Sequence, residues 1–168
     1  GNASLDVTDP ATGAAIARVA VADAAIVAAA VAAARAALPG WRDTPPAVRA
    51  RHLMKLRELL ELDKPRLAEL ITREHGKPTA DAYGSIQRGI EVVEFACAAP
   101  QLLKGENSDA VAAGVATRSS RRPVGVCVGI TPFNYPAMIP LWMFPLALAC
   151  GNTFVLKSGA SIASSRHA

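Results

Sequence analysis

The sequence predicts an α/β fold in which amino-terminal helices lead into the start of a parallel sheet. Three observations carry that expectation. Most of the first hundred residues place apolar side chains at the helical period. After "KGENSD" the period changes to 2, with β-branched residues in alternation. Near the carboxyl end, "VGVCVGI", "AMIPLWMFPLALAC" and "TFVLK" read as strand, helix and strand with tight turns. That is one βαβ unit, and such a unit implies parallel pairing.

Each element follows from local chemistry. "DVTDPATGAAIARVAVAD" has turn residues at Asp9-Pro10 and Thr12-Gly13 and alternation through Ile16, Val19 and Val21, which predicts a short hairpin or strand pair. Asp23 caps a long helix to about Leu38, broken by "PGW". Thr44 is the expected N-cap of the next helix and Pro45 its start, with Val48, His52, Leu53, Leu56, Leu59 and Leu60 on one half-buried face. Pro65 should open a third helix that Gly76 stops, and Thr79 a fourth running to about Leu103. Gly84 and Gly89 in that run would allow close packing. Two strands are expected at about Val111–Arg118 and Val124–Ile130. The second is continuously apolar, as a strand buried on both faces should be. A buried helix, Ala137 to Cys150, and the strand "TFVLK" complete the unit, with Trp142, Met143 and Phe144 filling the space between helix and sheet and Pro140 and Pro145 bending the helix.

Bulk properties narrow the function classes. At 168 residues with 51% hydrophobic residues, the chain can bury a core of one ordinary domain and is not a disordered one. Its net charge of +4 is modest. Arg118, Arg121 and Arg122 cluster without interleaved aromatics, which fits a solvated edge and no nucleic-acid partner. Cys97, Cys127 and Cys150 sit in apolar contexts and form no CxxC pair, so free buried thiols in a reducing, cytoplasmic setting are expected. The chain begins at Gly1 rather than Met, which suggests missing first residues, and shows no signal peptide pattern. No membrane partner is expected either. Ala20–Leu38 is Ala- and Val-rich but interrupted by Asp23 and Arg35, and Ala137–Cys150 is shorter than the roughly 20 residues a span needs. His75 reads as a helix-end residue rather than a metal ligand, because no second His or Cys lies at metal spacing, and His167 lies in the tail. There is no HExxH, Gly-rich phosphate loop or GxSxG elbow.

In open parallel sheets ligands bind beyond the carboxyl ends of the strands. Asn134 follows the first strand of the unit and Lys157 ends the second. Read as residues alone, Asn134 could equally be a turn former and Lys157 a solvated strand end.

The stretch "PVGVCVGITPFNYPAMIPLWMFPLALACGNTFVLK" resembles the aldehyde dehydrogenase superfamily, and its "FNYPAMIPLWMFPLALACGNTFVLK" part is similar to the CoA-acylating methylmalonate-semialdehyde dehydrogenase branch. "DPATGAAIARV" and "REHGKPTADAYGSIQRGIEVVEFACAAPQLLKGE" agree, so the likeness runs from about Val7 to Lys157. The resemblance implies a Rossmann-like sheet, here incomplete, and a small aldehyde substrate. It also implies NAD as cofactor, coenzyme A as co-substrate and a homo-oligomer. In such enzymes a cysteine thiolate attacks the aldehyde, hydride leaves to NAD, and coenzyme A takes the acyl group from the resulting thioester. Asn134 matches the family's oxyanion-hole amide, Lys157 the lysine that binds the adenosine ribose, and Thr131 and Phe133 positions that line the dinucleotide channel.

The departures concern the carboxyl end. Where the family continues with Pro-Ser-Glu and a helix, Lys157 is followed by "SGASIASSRHA", as a shifted frame or truncated gene would produce. The glutamate that the family places near the ribose hydroxyls is missing, so this motif does not separate NAD from NADP. None of the three cysteines has the context of the family nucleophile. Residues 1–157 are thus expected to be the first part of the NAD-binding domain, with 111–130 contributing to oligomerisation strands. Residues 158–168 would form a divergent tail, with the catalytic domain absent. Two alternatives stay open: a non-catalytic fragment that associates with full-length subunits, and a hydrolytic aldehyde dehydrogenase of another substrate class.

Overall fold

A computed structural model describes residues 3–159; most of the tail after Lys157, His167 included, lies outside the described residues. The expected hairpin is present: β1 (Ser4–Thr8) pairs antiparallel with β2 (Ala15–Ala20), and Gly13 closes the turn at φ 73°. The helix α1 (Ala24–Asp43) begins as expected, with the Asp23 carboxylate accepting from the Ile26 N–H at 2.9 Å. Its half-buried residues Ala30, Val31, Ala34, Leu38 and Trp41 form a stripe at helical spacing, and the helix packs on the strands at Val126–Ile130 and Thr153–Lys157. By length and hydropathy alone α1 could cross a membrane.

Pro39-Gly40 does not break α1. The last turn is held from outside: the Trp41 indole donates to the Leu148 carbonyl at 3.0 Å, and the Thr44 hydroxyl donates to the Gly40 carbonyl at 2.8 Å. Thr44 therefore closes α1 instead of capping the next helix. That helix, α2 (Pro46–His75), starts without a side-chain cap. It also runs uninterrupted through Pro65, contrary to the expected start there. Side chains on both sides of the proline pack on the same partner: Leu60 before it, and Ala68 and Ile71 after it, join one cluster with Ala82, Ile86 and Ile90 of α3 (Thr79–Cys97). Gly76 ends α2 in the left-handed conformation, φ 75°, which glycine adopts without a Cβ penalty.

The fourth helical run is broken. Pro100 cannot donate, so α3 gives way at Ala98 to one further turn, α4 (Ala99–Leu102). Gly89 makes the close packing expected of it: a Cβ there would lie 2.6 Å from Leu141 Cδ1. Gly84 faces open space and makes none. His52, expected half-buried, is exposed, its ring tilted against Trp41 at 5.9 Å.

The expected strand over Val111–Arg118 is a hairpin, β3 (Asn107–Ala112) with β4 (Val115–Arg118), turned at Ala113-Gly114. Gly114 at φ 73° supplies the tight turn. The βαβ unit forms as expected: β5 (Val126–Ile130), α5 (Met138–Ala149) and β6 (Thr153–Lys157), with β5 and β6 parallel and Ile130 opposite Lys157. Gly129 is buried beneath Met143 and Phe154, while Val128 and Ile130 on the alternate face are exposed. β5 is therefore covered on one face, not both. Trp142 turns away from the sheet, its indole donating to the Arg88 carbonyl of α3 at 3.2 Å. Pro140 sits in the first turn of α5, where its missing N–H costs nothing, and Pro145 lies inside the helix.

Arg49 ties these parts together. It is 4% exposed, and its guanidinium donates to the carbonyls of Ala149, Arg42 and Thr44. A cation thus sits where α1 and α5 present unpaired carbonyls. Asn152 closes the other side, accepting from the Gly125 N–H at 3.0 Å and donating to the Ala147 carbonyl at 3.1 Å.

Candidate active site

The carboxyl ends of β5 and β6 lie side by side. Their ladder continues one step past the strands, where the Thr131 N–H donates to the Lys157 carbonyl at 3.1 Å. Thr131 is 5% exposed, and its hydroxyl accepts from the Gly159 N–H at 3.0 Å. A Cβ on Gly159 would lie 2.7 Å from the Pro132 carbonyl, so the two strand-end loops meet backbone to backbone. Thr131 is thereby committed to shaping the loop, while the Lys157 side chain is exposed at its edge.

Beyond Thr131 the chain makes bends through Phe133, Asn134 and Tyr135 before α5 begins. Phe133 and Asn134 are both exposed. The structure thus brings Thr131 and Lys157 together directly and places Phe133 and Asn134 on the same loop.

Two residues outside the predicted set hold that loop. The Lys77 ammonium donates to the Asn134 carbonyl at 2.8 Å and lies 3.9 Å from the centre of the Tyr135 ring. The His75 ring lies tilted on Phe133 at 6.4 Å, and its Nδ1 is buried without a hydrogen-bond partner. Burial pushes the Lys77 ammonium below its ordinary pKa, against the raising effect of the Asp81 carboxylate. Burial, aided by the Lys77 charge, likewise lowers the His75 imidazole. Nothing in the local spacing signals either contact, because Lys77 and Asn134 are 57 residues apart.

The arrangement can do two things chemically. An exposed side-chain amide on a fixed backbone can donate to a developing oxyanion without titrating. An ammonium at a strand end can donate to hydroxyls of a bound ligand. The cysteines do not join them: all three are free and half-buried, and burial raises the Cys97 thiol pKa. No cluster of three or more metal-ligating side chains occurs among the described residues.

Residues 1–165 match the model of the aldehyde dehydrogenase family. The chain is 54% identical over 154 residues to a malonate-semialdehyde dehydrogenase of Pseudomonas aeruginosa, a match covering 92% of this chain and 31% of that protein. Its structure resembles methylmalonate-semialdehyde dehydrogenase from Oceanimonas doudoroffii, with a TM-score of 0.89, 50% identity, and coverage of 92% of this chain and 32% of that one. A candidate methylmalonate-semialdehyde dehydrogenase from Sinorhizobium meliloti 1021, crystallised with NAD, gives a TM-score of 0.89 at 48% identity, with the same coverage. The chain spans about a third of the length of the curated relatives it matches.

Proposed function

This chain belongs to the aldehyde dehydrogenase family, and on that premise we propose that it is the amino-terminal portion of a malonate- or methylmalonate-semialdehyde dehydrogenase that uses NAD and coenzyme A to form acyl-CoA. The observation that carries the reading is the pairing of Thr131 with Lys157 at the carboxyl ends of adjacent parallel strands, with Asn134 exposed on the loop that follows Thr131. The roughly half identity to semialdehyde dehydrogenases supports the substrate class. On this reading residues 1–157 belong to the NAD-binding domain and work in a homo-oligomer in the cytoplasm.

The residues fit the dinucleotide. Lys157 is exposed at its strand end, Phe133 offers an exposed aromatic face, and the backbones of Pro132 and Gly159 meet where the two strands end. Bound NAD supplies a hydride acceptor. The residues of this chain bind and stabilise. Lys157 and the loop at Thr131 and Phe133 would hold the dinucleotide, and the Asn134 side-chain amide would donate a hydrogen bond to the aldehyde oxygen as that oxygen becomes an anion. The attacking thiolate would come from the two thirds of the enzyme that this chain does not span.

The test is steady-state kinetics of the complete enzyme with Asn134→Ala. Turnover should fall by roughly a hundredfold to a thousandfold, the loss typical of one oxyanion donor, with NAD affinity nearly unchanged. Unchanged turnover would remove Asn134 from the oxyanion hole. A second reading, a fragment that docks on full-length subunits, is favoured by the β3–β4 hairpin, every strand residue of which is exposed.

A further inference from the structure

We infer that the connection between α2 and α3, through Lys77, positions the Asn134 loop for its role as oxyanion donor. The inference rests on the reading of Asn134 given above, but the contact itself does not depend on it.

The geometry is specific. The loop from Thr131 to Ala137 leaves the sheet without regular backbone pairing. At one end Thr131 is anchored to Lys157 and Gly159. At the other, Met138 is buried at the start of α5. Asn134 lies between these anchors, and its backbone carbonyl accepts from the Lys77 ammonium. That hydrogen bond fixes the peptide plane that follows Asn134 and so limits where the side-chain amide can point. The same ammonium rests on the Tyr135 ring, and the His75 ring rests on Phe133. One short connection therefore touches three successive residues.

The left-handed Gly76 makes this possible. It turns the chain sharply at the end of α2, with His75 before it and Lys77 after it. Its own backbone is hemmed in, since a Cβ would lie 2.9 Å from Pro10 Cγ of the first hairpin. The connection is held on one side by that hairpin and presses on the loop from the other. An oxyanion donor must sit within about 3 Å of where the charge develops and must not reorient during reaction. A misplacement of about 1 Å can cost on the order of a hundredfold in rate. A charge-assisted hydrogen bond to the donor's own backbone meets that requirement without blocking its side chain. Lys77 is a positioning residue, acting through Asn134.

The test compares Lys77→Met, which keeps the stem and removes the donor, with Lys77→Arg, which restores a cationic donor able to stack on Tyr135. NMR on the complete enzyme, isotope-labelled at Phe133 and Asn134 alone, gives the direct readout. In Lys77→Met, backbone order parameters of Phe133 and Asn134 should fall from the rigid range, about 0.85, toward 0.6 or below. The Asn134 carbonyl carbon should shift upfield as it loses its donor. Lys77→Arg should return both. Unchanged order parameters and carbonyl shift in Lys77→Met overturn the inference, whatever Asn134 does. If Lys77→Met does not fold, Tyr135→Leu, which removes only the ring beneath the ammonium, is read by the same order parameters and with the same criterion. In the complete enzyme Lys77→Met should lower kcat roughly tenfold to a hundredfold, a larger factor than any rise in KM for NAD. A loosened loop with unchanged kcat for both Lys77→Met and Asn134→Ala would sink the catalytic reading and leave the positioning contact standing; a loosened loop with kcat lowered only by Asn134→Ala would overturn the inference.

Discussion

Arg49, His75 and Lys157 show how differently a charged or titratable side chain can act at three places in one chain. Arg49 is enclosed by three carbonyls, so Arg49→Met should leave helix-end acceptors without donors. Leaving a buried acceptor unpaired costs about 1–3 kcal/mol, which a urea titration followed by circular dichroism would read as a lowered midpoint. His75 is half-buried with an unpartnered Nδ1, and its pKa is lowered by burial and then by Lys77. Its folded pKa lies below the unfolded value, so the unfolded chain binds more protons as pH falls through that value and into the lowered range. Stability should therefore drop on acidification through this window and recover above it, and His75→Gln should flatten that part of the Tm-against-pH curve. Lys157 is exposed, so its removal should cost little stability. In the complete enzyme, Lys157→Ala should weaken NAD binding by roughly tenfold to a hundredfold, equivalent to the about 1.5–3 kcal/mol of a charged hydrogen bond, with a smaller effect on turnover. Equal NAD affinity in parent and variant would take Lys157 out of the site.

Helices in this chain tolerate prolines because packing outweighs the local loss. Pro65 lies exposed inside α2, where the ring removes one backbone hydrogen bond and crowds the preceding turn. Pro65→Ala should restore that bond and raise stability by roughly 1–3 kcal/mol, read as an increased Tm; a lower Tm would mean that a bend at Pro65 is needed to fit α2 onto α3. The opposite sign is expected at Gly89, where α3 meets α5. A methyl there would press on Leu141 Cδ1 at 2.6 Å and Cβ at 3.1 Å. Overpacking of this kind costs about 1–3 kcal/mol, and Gly89→Ala should lower the denaturation midpoint accordingly.

The molecule as a whole presents sheet edges and apolar surface that its own helices leave open. Val124, Val128 and Ile130 are 89%, 59% and 70% exposed, and among the described residues the β5–β6 sheet has two strands. Open edges and exposed apolar patches favour association. Residues 1–168 prepared alone should therefore elute from gel filtration well above the 17.4 kDa monomer or precipitate. They should form no NADH from an aldehyde, since all three cysteines are half-buried and lie outside the Asn134 loop, and burial leaves Cys97 little thiolate. A stable monomer would show that the edges are closed in solution, and aldehyde-dependent NADH would make one of the three cysteines a nucleophile.

The amino-acid sequence by itself determined the pieces whose cause is local. Asp23 at the start of α1, Gly76 at the end of α2, the Asp9–Gly13 turn and the βαβ unit all follow from residue chemistry or periodicity within a few positions. The placement of Thr131, Asn134 and Lys157 at strand ends was local too, although the roles proposed for them came from likeness to a family rather than from spacing. Tertiary structure decided what local rules weigh wrongly or cannot see. Pro39 and Pro65 are breakers by propensity, yet α1 and α2 continue through them because Trp41, Ala68 and Ile71 find partners far along the chain. Val111–Arg118 reads as one alternating run, yet Gly114 folds it back on itself. The grip of Lys77 on Asn134 and the burial of Arg49 under Gly151 depend on residues 57 or 100 positions away. A hydrogen bond of that reach exists only once the helices have packed, so no pattern in the chain announces it.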